Sequence, residues 1–211
     1  MTTSVEDFEH VLEPATTPDT PTLVLLHGTG ADEYDLLPLG RALAPGAALL
    51  SPRGKVDENG LNRWFRRLRE GVFDVEDVIT RTDELADWLT VALEHYELDP
   101  RRVVISGFSN GANTGAALLL RRPGLAVGAA LFASGAPLQG REPDPVDLSG
   151  TRVFLGAGKV DPITTIDRTH LLAEQLTSRG ADVVLDEHAG GHQIPAEQIV
   201  RAEEWFVRCG F

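Results

Sequence analysis

The sequence predicts an α/β fold, a mostly parallel central sheet with helices on both faces, and three observations carry that prediction. Six apolar runs of strand length alternate with segments of helical period, the β-α rhythm of a parallel sheet wrapped on both sides. Several runs are apolar without interruption, as strands buried on both faces are. With 211 residues, 42% hydrophobic and 24% charged, the chain has material for one sizeable core, so a single domain over residues 1–211 is expected.

Taken in order, FEHVLEPA (8–15) reads as an edge strand, and the Pro-rich PATTPDTPT (14–22) leads into the first central strand, TLVLLH (22–27). Too little chain precedes that Pro-rich stretch for it to link two domains. A helix is expected near 33–44 and a strand at AALLS (47–51). SPRGKVDENGLNRWFRRLREGVFD (51–74) has little periodicity; a loop that long inside a compact domain is usually functional. Asp74 suits an N-cap. After it, Val75, Val78, Ile79, Leu85, Ala86, Leu89, Leu93 and Tyr96 fall on one helical face, with Glu76, Asp83, Glu84 and Asp87 on the other. RVVISGF (102–108), VGAALFAS (127–134), RVFLGAG (152–158) and DVVLDEH (182–188) are strands. Helices follow near 110–121, 165–179 and 196–208, and GAPLQGREPDPVDLSG (135–150) is a polar, Pro-rich connection.

The net charge of −13 repels phosphates at long range, which argues against nucleic acid or an anionic membrane as partner. Small neutral molecules remain open. The single cysteine, Cys209, cannot form an intrachain disulfide and reads as a semi-buried thiol on the last helix, at ease in a reducing compartment. MTTSVEDFEH lacks the basic and apolar regions of a signal peptide, and no segment reaches the roughly 18 apolar residues of a membrane span. A soluble, cytoplasmic protein is expected.

In an open parallel sheet, ligands bind beyond the carboxyl ends of the strands. Four strand ends here are Gly-rich, HGTGADE, GFSNGA, GAGKVDPI and EHAGGHQI, and the last three offer Ser109, Asp161 and His192 in that order. Serine is a weak nucleophile and needs a base in contact, held in its working tautomer by a third group. The order Ser, Asp, His and the pattern Gly107-x-Ser109-x-Gly111 between a strand and a small-residue helix match a nucleophile elbow. Its glycines avoid collisions across a strained turn. Ser134, at the next strand end, is the rival but lacks a following helix. His192 follows two glycines that let its loop fold back over the sheet and is preferred as base to His188, which continues a strand pattern. Asp161 follows a Gly-rich strand end and precedes a proline, whereas Asp167 falls in a helix's first turn, where the dipole explains it. The oxyanion donors map to the backbone N–H groups of Thr29 and Asn110, with Asn110 also opening a helix whose positive end favours the anion. His27 reads as a structural hydrogen-bonder.

LHGTGADEYDLLPL, SPRG, RWFRRLREGVFDVED, GFSNGA, the VDP of GAGKVDPI and GGHQI together resemble, in order, the carboxylesterase/phospholipase family of small α/β-hydrolases, which includes the acyl-protein thioesterases. The resemblance runs from about Thr22 to Phe206. RWFRRLREGVFD and GFSNGA are more similar to bacterial esterases associated with hydroquinone stress than to the thioesterases, which usually carry GFSQGG. It implies an α/β-hydrolase fold, serine esterase activity without metal or cofactor, often a dimer, and the triad Ser109, Asp161 and His192 with Thr29 and Asn110 at the oxyanion hole. One departure is ITTI after Asp161–Pro162, where the family commonly has a Val-Pro pair.

The reading is therefore a serine carboxylesterase acting on small, short-acyl esters, with too little chain for a large lid. Trp64 and Phe65, in the long early loop, are expected as apolar walls of the substrate pocket, with packing of both rings on the core as the alternative. Arg63, Arg66, Arg67 and Arg69 surround them and either meet an anionic substrate or form a solvated cluster with Glu70 or Asp74. Rival functions are an acyl thioesterase or lysophospholipase of the same family, or a noncatalytic small-molecule binder on the same fold. Dinucleotide binding fails, because Glu33 stands where a third glycine belongs after Gly28 and Gly30.

Overall fold

The computed structural model describes residues 3–141 and 146–211; residues 142–145, inside the polar 135–150 connection, lie outside the described residues. A seven-stranded sheet organises the chain. Its strands are β1 (His10–Glu13), β2 (Thr22–Leu26), β3 (Ala48–Pro52), β8 (Val103–Phe108), β9 (Gly128–Phe132), β10 (Arg152–Gly158) and β11 (Asp182–His188), in the spatial order β1-β3-β2-β8-β9-β10-β11. Only β1 runs antiparallel to its neighbour, pairing His10 with Pro52 and Glu13 with Leu49; the other ladders are parallel. The helices are α1 (Leu37–Leu43), α2 (Val75–His95), α3 (Asn110–Arg121), α4 (Ile166–Thr177) and α5 (Ala196–Cys209).

Alternation along each strand sends neighbouring side chains to opposite faces, and the core divides accordingly. Val24, Leu26, Ile105, Leu131 and Leu155 pack under α2, α3 and α4. Leu23, Leu25, Val104, Ala130 and Phe154 pack under α1 and α5. This is the mostly parallel sheet with helices on both faces that the strand pattern predicts, and the α/β-hydrolase fold that the resemblance implies, with both faces of the central strands buried.

Two elements differ from the expectation. The helix expected near 33–44 is shorter and begins at Leu37, because Pro38 lacks an N–H and fits only a first turn. The aperiodic 51–74 stretch contains two short hairpins, β4 (Val56–Glu58) with β5 (Leu61–Arg63) and β6 (Arg67–Arg69) with β7 (Val72–Phe73). The first turns on Asn59 and Gly60, at φ 57° and 83°, the left-handed pair that a two-residue hairpin loop requires. Asp74 caps α2 by accepting from the Asp77 N–H, as its position suggests.

Candidate active site

The carboxyl ends of β2, β8, β10 and β11 open on one rim, and each contributes to the site. At the end of β8 the chain must turn at once into α3. Ser109 makes that turn at φ 53° and ψ −113°, a strained conformation for a non-glycine residue, and its N–H donates to the Phe132 carbonyl at 2.9 Å. The flanking glycines answer two different crowdings. A Cβ on Gly107 would lie 2.8 Å from the Ala112 nitrogen across the turn, whereas one on Gly111 would lie 1.9 Å from the Leu26 carbonyl oxygen on β2. The second glycine thus lets α3 seat on the neighbouring strand.

His192 lies on the loop after β11. Its Nδ1–H donates to Asp161 Oδ2 at 2.7 Å, which leaves Nε2 to accept the Ser109 hydroxyl proton at 2.8 Å. Both contacts are satisfied by one neutral tautomer. The imidazole is flanked by the Phe108 ring, 5.0 Å between centroids. Asp161, in the loop after β10, is buried, and its other oxygen accepts the Ile163 and Thr164 N–H groups at 2.8 and 2.9 Å. Backbone bonds from Lys159 to His188 and from Val160 to Gly190 tie the loop bearing the carboxylate to the loop bearing the imidazole.

The residues set aside in the sequence have other partners. His188 accepts the Gly190 N–H on Nδ1 and meets the Gln193 carbonyl through Nε2. Ser134 is fully buried, its hydroxyl donating to Asn113 Oδ1. Asp167 sits in the first turn of α4. His27 is buried, with Nδ1–H donating to the Gly28 carbonyl at 2.7 Å and Nε2 accepting the Gly54 N–H at 2.9 Å. Burial pushes its pKa below the usual histidine value, against the partial support of the Gly28 bond.

Thr29 and Asn110 line the same cleft as Ser109, Thr29 in the turn after β2 and Asn110 as the first residue of α3. Their surroundings overturn one expectation. Trp64 and Phe65 are not pocket walls: both are buried in the core and neither lines the cleft. Large rings lower the free energy most where water is fully excluded, and the hairpin turns both inward. Trp64 instead acts as a brace. Its indole N–H donates to the His27 carbonyl at 2.9 Å and its backbone N–H to Asn110 Oδ1 at 2.8 Å. Arg63, also buried, donates to Thr29 Oγ1 at 2.7 Å and to the Phe65 carbonyl. Arg66 pairs with Asp74 and Arg67 with Glu58, while Arg69 is exposed.

The cleft, counted with its open mouth, encloses about 380 Å³. Beside Ser109, its walls include Arg63, Arg67, Glu70, Phe73, Ile163, Thr164 and Arg168. Ile163 and Thr164 belong to the ITTI stretch that the sequence marks as a departure from the family pattern, whereas Arg168 was not reached, because a residue in the first turn of a helix carries no local signal of what it faces. Among the described residues, no group of three or more His, Cys, Asp or Glu side chains could hold a metal, and no helix is long and apolar enough to cross a membrane.

The profile of the phospholipase/carboxylesterase family matches residues 8–209. MhqD of Bacillus subtilis (strain 168), named as a hydrolase, is 42% identical over 199 residues, covering 94% of this chain and 98% of the relative. The crystal structure of a Bacillus cereus carboxylesterase is 39% identical, with a TM-score of 0.93 over 96% of this chain and 95% of that one. The structure of YahD with malic acid is 28% identical, with a TM-score of 0.89 over 96% and 99% of the two chains. By sequence over nearly its whole length, and by fold, the chain belongs to the phospholipase/carboxylesterase family of α/β-hydrolases, serine hydrolases acting on carboxylic esters.

Proposed function

We propose that this enzyme is a serine carboxylesterase for small, short-acyl esters, with Ser109 as nucleophile, His192 as base and Asp161 as its orienting acid. The observation that carries this reading is the unbroken hydrogen-bond chain from Ser109 Oγ through the His192 ring to Asp161. His192 Nε2 takes the hydroxyl proton as Ser109 Oγ attacks the ester carbonyl, and the Asp161 carboxylate steadies the imidazolium. The carbonyl oxygen becomes an oxyanion, received by the backbone N–H groups of Thr29 and Asn110 and by the positive end of α3. The C–O bond to the alcohol then breaks, and His192 returns its proton to the departing oxygen. Water, deprotonated by His192, attacks the acyl-Ser109 in the same geometry, releasing the acid and restoring the serine. The preference for short acyl chains rests on the cleft. A buried methylene adds about 0.8 kcal/mol only while apolar wall remains to receive it, and an open cleft lined beside Phe73 and Ile163 by Arg63, Arg67, Glu70 and Arg168 runs out of apolar wall early. A reducing cytoplasm as the working place rests on the lone Cys209, and a homodimer on the family resemblance alone.

A 4-nitrophenyl ester series tests the proposal. The kcat/KM is expected to peak at roughly two to six acyl carbons and decline beyond. Ser109→Ala is expected to lose three or more orders of magnitude in rate with the fold intact, and a fluorophosphonate should label Ser109 and spare Cys209. An active Ser109→Ala enzyme would move the nucleophile elsewhere. A steady rise through about twelve carbons would point instead to the lipid or thioester hydrolases of the family.

A further inference from the structure

Among the described residues, only Arg69, Arg168 and Arg208 place their guanidinium groups in neither an ion pair nor a hydrogen bond. Arg69 and Arg208 are exposed to water, which satisfies them. Arg168 is not. It lies at the third position of α4, half-buried, with its guanidinium over the Phe73 ring at 5.1 Å from the centroid. The group runs between two glycines: a Cβ on Gly135 would meet its Nε at 3.4 Å, and one on Gly71 would meet its Nη1 at 3.3 Å. Its charged end therefore stands on the wall of the cleft that also holds Ser109, Thr29 and Asn110. Burial is the sole cause that lowers its pKa, with no acid to oppose it, yet a guanidinium stays protonated in proteins.

The other arginines of this wall are spoken for. Arg67 binds Glu58 at 2.8 Å, and Arg63, 3.8 Å from the same carboxylate, donates to Thr29 and Phe65. A cation withdrawn from water with no counter-charge is costly, and the stack on Phe73 offsets only part of that cost. The charge makes physical sense if its partner arrives with the ligand. A planar fork of free N–H donors matches a carboxylate in bidentate fashion. A single negative charge fits better than a double one, because Glu70 also lines the cleft and the chain as a whole carries −13.

We propose that Arg168 is a specificity residue of the esterase site described above, and that the enzyme's substrates are esters bearing a second, free carboxylate. The inference rests on the reading of Ser109 as nucleophile in that cleft. The carboxylate belongs either to the acyl part, as in a half-ester of a dicarboxylic acid, or to the alcohol part, as in an ester of a hydroxy acid.

Two pairs of isosteres test the idea, followed by proton release: monomethyl succinate against methyl 4-methylpentanoate for the acyl side, and acetoxyacetate against isobutyl acetate for the alcohol side. The wild-type kcat/KM is expected to favour the anionic member of one pair by about tenfold or more, the pair telling which side carries the charge. Added salt should shrink that ratio. Arg168→Gln should collapse it mainly through KM, and Arg168→Lys should restore part of it as a point charge without the fork. The wild-type ratio needs no folded variant. Hydrolysis of 4-nitrophenyl acetate without preference for either anionic ester, or a ratio unmoved in Arg168→Gln, would overturn this inference and leave the esterase intact. Failure to hydrolyse any of the five esters would instead remove the esterase reading beneath it.

Discussion

His188 and His192 stand four residues apart and differ in what their ring nitrogens already hold. His188 spends both on its own loop, through the Gly190 N–H and the Gln193 carbonyl, whereas His192 bridges a buried carboxylate and a serine hydroxyl. Ester hydrolysis is accordingly expected to vanish in His192→Ala and to persist in His188→Ala, measured by initial rates on a nitrophenyl ester. The reverse result would exchange their roles. His27 makes a different prediction, about stability. Its folded-state pKa is lowered by burial, so below the unfolded value of about 6.5 the unfolded chain binds a proton that the native protein refuses. Stability should therefore fall as pH drops through about 6.5, by at most about 1.4 kcal/mol per unit. Glu33, held low chiefly by its Arg53 hydrogen bond, loses its contribution only below the ordinary glutamate value of about 4.3. Urea unfolding between these two limits should show a slope that His27→Gln flattens; an unchanged slope would assign it to another group.

The two hairpins after β3 are the element whose role differs most from its sequence reading. As a stretch of mixed Arg, Trp and Phe without periodicity, 51–74 carries one legible turn signal, Asn59–Gly60, and no sign of which way its side chains face. In the fold, Arg63 and Trp64 reach from the end of β5 to the Thr29 hydroxyl, the His27 carbonyl and the Asn110 side chain. The hairpin thereby fixes the β2 turn against the start of α3, the two places from which oxyanion donors are proposed to come. Trp64→Ala is expected to cost about 3–5 kcal/mol through the cavity it leaves, lowering the melting temperature. It should also lower kcat across the whole ester series without shifting the preferred chain length. A shift toward longer acyl chains at unchanged stability would return Trp64 to the pocket wall.

Over the whole molecule, 32 acidic residues face 19 basic ones, and the basic side chains are largely paired already, in networks such as Arg121 and Arg122 on Asp83. The excess is therefore unpaired negative charge, whose mutual repulsion salt shortens to a range of about 8 Å at 0.15 M. The melting temperature is expected to rise modestly from low to moderate ionic strength. A fall over that interval would mean that screening of the attractive pairs outweighs relief of the repulsion.

What the sequence determined by itself is local in origin. Strand and helix periods, the Asp74 cap, the glycines around Ser109 and the Gly-rich strand ends are each set by neighbours along the chain, so the sheet and the order of Ser109, Asp161 and His192 could be read directly. The tertiary structure alone decided what depends on distant partners. Ser109 and His192, 83 residues apart, meet because β8 and β11 end on one rim. Trp64 turns inward because His27 and Asn110, 37 and 46 residues away, offer it hydrogen-bond acceptors in a dry core. Arg168 faces the cleft because Phe73, Gly71 and Gly135 leave it a channel there. A side chain's direction is settled by the surfaces that exclude water around it, and those surfaces exist only once the chain has folded.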